Sequence, residues 1–240
     1  HRADALLRRA PAEGISPVPA WTFESDVASA SLGIRVAGTG DVNGDGFADV
    51  IASASELANG EGLEGRVYLF LGSAAGLSSQ PDWLYESNLV GGRAGWGLGL
   101  AGDINGDGYS DVAFDVGSNN PANGAVLVFH GGPNGPGASP DRTYPSNHGG
   151  FADVLYAAGD VNGDGFADLV ATEMTLNANT GAITILGGWE SGTGLSVLDF
   201  RGGQQTGEQF GADAAAAGDV NGDGYGDVIV GAPRADNGQT

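Results

Sequence analysis

The 240-residue chain carries nine Lys and Arg together, every one an Arg, against 30 Asp and Glu, so its formal charge is −21. Such an acidic chain repels nucleic acid and anionic membrane surfaces, and no apolar run approaches the roughly 18 residues of a membrane-spanning helix. It has no Cys, hence neither disulfides nor thiolate metal sites, and although 45 residues are Gly, the apolar 41% falls in short, regularly placed runs that mark a folded chain.

The opening stretch, HRADALLRRA, has neither an initiator Met nor the apolar core of a signal peptide, so the chain reads as a segment excised from a longer protein. Within it, ADALLRRA fits either a helical turn or a frayed strand. PAWTFES from Pro19 is the first of four polar, aromatic runs; PDWLYES from Pro81, RTYPS from Arg142 and LSVLDF from Leu195 follow it. Their Pro residues and charges suit the exposed outer edge of a sheet. The runs GRVYLFLG from Gly65, GAVLVFHG from Gly124 and GAITILGG from Gly181 are β-branched or aromatic and closed by Gly, and are read as central strands.

An acidic stretch sits ahead of each central strand. DVNGDGFADV at Asp41 returns as DINGDGYSDV at Asp103, DVNGDGFADL at Asp160 and DVNGDGYGDV at Asp219, at intervals of 62, 57 and 59 residues. Small residues lead into each copy, and an apolar run such as Val228-Ile229-Val230 follows it, which makes the acidic stretch the tip of a β-hairpin. The period holds one unit of four strands. The chain is therefore predicted to be all-β, built of β-propeller blades of four antiparallel strands, about four blades' worth in one domain. The units run as a partial blade at 1–31, blades at 32–90, 91–148 and 149–203, and a partial blade at 204–240.

The acidic loop has the chemistry of a calcium site. Calcium takes six to eight oxygens, and a tight loop turns alternate residues inward to supply them. In the first copy the ligands are Asp41, Asn43, Asp45, the carbonyl of Phe47, and Asp49. In the second they are Asp103, Asn105, Asp107, Tyr109 and Asp111; in the third Asp160, Asn162, Asp164, Phe166 and Asp168; in the fourth Asp219, Asn221, Asp223, Tyr225 and Asp227. A helical EF-hand would close with an acid at its twelfth position, which here is Ala52, Phe114, Ala171 or Val230, so the ninth residue must close the loop. About four Ca2+ are expected, one per loop.

These residues resemble the FG-GAP repeats of integrin α-subunit propellers and their bacterial relatives, in which a Phe-Gly strand, a DxNxDGxxD loop and a Gly-Ala-Pro strand end make each blade. The fourth unit has the whole signature in Phe210-Gly211, Asp219 to Asp227 and Gly231-Ala232-Pro233. Elsewhere Leu32-Gly33, Trp96-Gly97 and Phe151-Ala152 stand for Phe-Gly, while Ser53-Ala54-Ser55, Asp115-Val116-Gly117 and Thr172-Glu173-Met174 stand for Gly-Ala-Pro. The resemblance implies structural calcium and a setting outside the cell, where calcium is near millimolar. Ligand specificity does not carry over with it.

Two function classes follow. The first is a non-catalytic adhesion or binding module that recognises a protein or glycan outside the cell or at its surface, with no nucleic-acid partner and no membrane insertion. The second is the propeller scaffold of a carbohydrate-active enzyme such as a polysaccharide lyase, or a lectin. A lyase needs a general base beside an electropositive groove, and this chain has no Lys and scattered Arg, so it is read as not an enzyme. Trp21, Trp83, Trp96 and Trp189 are read as packing between blades rather than stacking on sugars. His130 and His148 lack a nucleophile or paired base at a recognisable spacing. The third strand of the fourth unit would begin 21 residues after Asp219, at Thr240, while Ala5 to Ala10 and Pro19 to Ser25 read as a spare third and fourth strand. The favoured expectation is an open arc of a larger propeller, with exposed blade edges available for self-association.

Overall fold

The computed structural model describes residues 4–7, 15–117, 124–145, 153–174, 176–189 and 196–236. The Phe151-Ala152 pair and His148 lie outside them. Among the described residues sixteen strands form in chain order. Three complete sheets each run first to fourth strand: β3 (Leu32–Gly40), β4 (Asp49–Ala54), β5 (Arg66–Phe70) and β6 (Trp83–Glu86); β7 (Leu98–Gly102), β8 (Asp111–Val116), β9 (Ala125–Phe129) and β10 (Arg142–Pro145); β11 (Leu155–Gly159), β12 (Asp168–Glu173), β13 (Ala182–Gly187) and β14 (Ser196–Gly202). Every neighbouring pair is antiparallel. Two half-sheets complete the set, β1 (Asp4–Leu7) with β2 (Trp21–Glu24) and β15 (Asp213–Gly218) with β16 (Asp227–Gly231). The fold is all-β, with four-stranded propeller blades and no closed ring of sheets among the described residues.

ADALLRRA, open between turn and strand in the sequence, contains β1, because Asp4 to Leu7 pair with Glu24 to Trp21. Among the described residues the one helical segment, Leu176–Asn179, is a left-handed turn in which Asn177, Ala178 and Asn179 all take positive φ.

First strands lie against one another from sheet to sheet, β3 on β7, β7 on β11 and β11 on β15. This crowding explains their Gly and Ala content: a Cβ at Gly99 would collide with the carbonyl oxygen of Leu155. The second and third strands are buried on both faces, so they read as continuous apolar runs. The core is therefore divided into four slabs, each lying between adjacent sheets.

Fourth-strand aromatics fill those slabs. Trp21 of β2 meets Phe70 of β5 with ring centroids 4.8 Å apart, and Trp83 of β6 meets Phe129 of β9 at 4.9 Å. Each indole N–H donates to a carbonyl on the next blade, Ser78 at 2.8 Å for Trp21 and Gly137 at 2.8 Å for Trp83. Trp189 is buried against Tyr144 of the preceding blade, with the Arg142 guanidinium 4.9 Å from its ring. Trp96 lies under Arg35 and Arg93 at 5.9 and 5.3 Å. Their place is between blades, where a large ring with one polar edge fits a mostly apolar slab.

Candidate metal centres

Each acidic stretch forms the tip between the first and second strands of its sheet, at β3–β4, β7–β8, β11–β12 and β15–β16. Local hydrogen bonds shape it. In the second loop, Asp103 accepts the N–H groups of Gly106, Asp107 and Gly108 at 2.7, 3.1 and 2.9 Å. Asn105 accepts from Asp107 N–H at 3.0 Å and donates its amide to the Asp107 carboxylate at 2.9 Å. Asp107 in turn accepts from Tyr109 N–H at 2.9 Å. The same pattern recurs around Asp160 and Asp219, and Asp41 accepts the N–H groups of Asp45 and Gly46. An aspartate that gathers several loop N–H groups in this way specifies the turn from within.

The structure brings the first, third and fifth residues of each loop together and sets the ninth behind them. Asp49, Asp111 and Asp168 are fully buried, each with one oxygen accepting the second residue's N–H at 2.8 Å. The other oxygen accepts an N–H from beyond the third strand of the same blade: Gly72 at 2.7 Å, Gly131 at 2.8 Å and Gly188 at 2.8 Å. Among the described residues no three Asp, Glu, His or Cys side chains converge as a preformed metal cage, and the loop carboxylates accept backbone N–H groups. The carbonyls of Phe47, Tyr109, Phe166 and Tyr225 lie in the same tips, contributed by the backbone rather than by an acid.

Among the described residues no Arg forms an ion pair with these loops. Burial pushes the carboxyl of Asp111 up to about 7 against the pull of its two N–H partners, and the charges of Asp107 and Asp103 raise it further. Asp49 and Asp168 are raised for the same reasons. Asp219, fully exposed, is held below the ordinary value by the N–H of Gly224 and its neighbours. An all-oxygen donor set, with a buried carboxylate destabilised by two more carboxylates, fits a hard cation.

Successive loops also touch. Ser110, Ala167 and Gly226 donate their N–H groups to the carbonyls of Asp41, Asp103 and Asp160, the first residues of the preceding loops, at 2.9, 3.2 and 2.6 Å. The rings of Tyr109, Phe166 and Tyr225 lie over Gly44, Gly106 and Gly163 of those loops, so close that a Cβ there would meet each ring at 2.5, 2.6 and 2.6 Å. Gly132 and Trp189 add N–H bonds to the carbonyls of Val42 and Ile104, both at 2.9 Å. Sequence reading missed these partners; the signal for Gly72, Gly131 and Gly188 was the glycine closing every central strand.

Away from the loops, His130 sits 3.9 Å from Asp141 and faces Trp189. A second group of acids, buried Asp115 and Glu173 with half-buried Asp153, spans the second and third blades.

The FG-GAP repeat family matches this chain over residues 33–70, 157–186 and 210–240. The second acidic loop lies outside those spans yet makes the same hydrogen bonds as the third. Integrin alpha-PS5 of Drosophila melanogaster is 35% identical over 144 residues, 54% of this chain and 14% of the relative. Integrin alpha-PS2 of the same organism is 36% identical over 118 residues, 45% of this chain and 8% of the relative. Integrin alpha-8 of Mus musculus is 31% identical over 145 residues, 54% of this chain and 13% of the relative. The chain thus carries FG-GAP repeats and is integrin α-like in sequence, over a small part of those relatives' length.

Proposed function

We propose that this integrin α-like FG-GAP chain is a calcium-stabilised, non-catalytic binding module, presenting its blades to a protein or glycan outside the cell or at its surface. The observation that carries the reading is the fourfold loop: four all-oxygen tips with the same internal hydrogen bonds, aligned in one row and linked to one another. Asp41, Asn43, Asp45, the Phe47 carbonyl and Asp49 would hold one ion, and the corresponding residues of the other three loops one each. A bound divalent ion would supply positive charge among the three carboxylates that each loop carries. The chain's own residues do the rest: the first Asp curls the loop, and the ninth ties the tip to the end of the third strand.

Titration calorimetry on chelator-treated protein tests this reading, with uptake of about four calcium ions per chain at the millimolar levels typical of extracellular modules. No uptake at millimolar calcium would refute it. A glycan array and a protein pull-down, each with and without EDTA, separate the two ligand classes; binding to a partner that EDTA abolishes supports the module reading.

A further inference from the structure

Asparagine followed by glycine occurs eight times in this chain, once in each acidic loop and again at Asn59, Asn123, Asn134 and Asn237. Asn123 and Asn237 lie outside the described residues. A glycine after asparagine carries no Cβ to hinder its backbone nitrogen, so that nitrogen can attack the side-chain carbonyl carbon of the asparagine. The attack needs the carboxamide and the glycine nitrogen to turn toward each other. Hydrogen bonds that hold either one oppose it.

The loop pairs are held. In the second loop Asn105 Oδ1 accepts from Asp107 N–H at 3.0 Å, its Nδ2 donates to the Asp107 carboxylate at 2.9 Å, and Gly106 N–H donates to Asp103 at 2.7 Å. The third and fourth loops repeat all three bonds, with Gly163 to Asp160 and Gly222 to Asp219 both at 2.7 Å. In the first loop Asp45 holds Asn43 through the same two contacts, at 3.1 and 3.0 Å, and the Tyr109 ring lies over Gly44. Outside the loops, Gly135, which follows Asn134, donates its N–H to the Gly132 carbonyl at 2.7 Å. Asn59 differs from all of these. It is exposed in the link between β4 and β5, and among the described residues no donor reaches its Oδ1 and no acceptor takes the Gly60 N–H. Its one carboxamide bond among those residues runs from Nδ2 to Glu86, at 3.2 Å. Gly60 has a φ of +122°, a conformation that suits Gly, and nothing lies within 4 Å of a Cβ there.

We propose that Asn59 is a modification site, the described pair at which the folded chain first loses ammonia. The Gly60 nitrogen gives its proton to solvent base and bonds to Asn59 Cγ. The Cγ–Nδ2 bond then breaks, and ammonia leaves with a proton from water, which closes a succinimide ring between the two residues. A second water opens that ring at either carbonyl, giving aspartate or, with the backbone rerouted through the side chain, isoaspartate. No electrons are transferred, and water is the only co-reactant. The product carries a carboxylate where Nδ2 had donated to Glu86, close to Glu64, which accepts the Asn59 N–H. An attraction becomes a repulsion, and the link between β4 and β5 loosens.

Incubation of the folded chain in calcium at neutral pH, followed by digestion and peptide mass spectrometry, measures each pair separately, and an isoaspartyl methyltransferase assay identifies the rearranged product. The Asn59 peptide is expected to convert at least about tenfold faster than those holding Asn43, Asn105, Asn134, Asn162 and Asn221. In urea, where the holding bonds are gone, the rates are expected to agree within about threefold. Asn59→Gln, whose amide stands one methylene further from Gly60, is expected to leave its peptide unconverted. Hydrogen exchange over residues 56–64 is expected to quicken several-fold in the converted protein. Asn59 lies outside the acidic loops and the readout is covalent, so the result is separable from calcium uptake. Comparable rates at Asn59 and the other five pairs in the folded chain, a gap that survives urea, or exchange unchanged by conversion would each overturn the proposal.

Discussion

Gly106 and Gly108 offer a matched pair of substitutions within one loop. Both take positive φ, +72° and +89°, so Ala at either costs about 1–2 kcal/mol of left-handed backbone strain. Space separates them. Nothing lies within 4 Å of a Cβ at Gly108, whereas a Cβ at Gly106 would meet Cε1 of Phe166, on the next blade, at 2.6 Å. Pushing that ring aside adds about 1–3 kcal/mol of overpacking. Gly106→Ala is therefore expected to unfold about 2 kcal/mol more easily than Gly108→Ala, and to melt about 4–8 °C lower at this chain size. Urea unfolding in chelator, where calcium cannot contribute, gives the comparison. Repeating both substitutions in a Phe166→Ala background closes a double-mutant cycle, in which the gap should vanish. Equal costs at the two glycines, or a gap that survives loss of the ring, would refute the packing of one loop on the next.

Other consequences can be measured separately. Asp45→Ala removes the fifth residue of the first loop, while the links to the second loop run through Asp41, Val42 and Gly44 instead; calorimetry should show loss of about one calcium ion, and loss of all four together would contradict modular sites. Trp83→Ala deletes the ring wedged against Phe114 and Phe129, together with its N–H bond to Gly137, and should cost about 3–5 kcal/mol in urea unfolding; under about 1 would show that the slab does not depend on it. Glu173 is pushed up to about 7 by burial and then by the charge of Asp153. Its folded value lies above the ordinary 4.5, so the stability it contributes is complete below about 4.5 and is lost as pH rises through about 7, about 3 kcal/mol in all. Glu173→Gln should therefore gain on the parent by about that much between about pH 5 and 8.5 in urea unfolding, and a difference independent of pH would contradict it.

The sequence alone determined what is local. The turn of each acidic loop is made within a few residues, Asp41 gathering the N–H groups of Asp45 and Gly46, so one copy of the stretch contains its own instructions. Strands follow from runs of β-branched and aromatic residues bounded by Gly, and the phase of four such units predicted blades. Tertiary structure decided whatever joins distant segments. Gly72 reaches Asp49 from 23 residues away, and the Tyr109 ring settles on Gly44 only because a neighbouring blade carries it there. ADALLRRA shows the boundary most plainly: its period fits a turn or a strand, and β1 forms because Trp21 to Glu24 offer a ladder of backbone partners. Val228 to Val230 likewise read as strand in sequence, yet how their sheet sits on the one before it depends on the angle at which successive blades pack. That angle belongs to side chains interlocked between sheets, a property no single stretch of sequence contains.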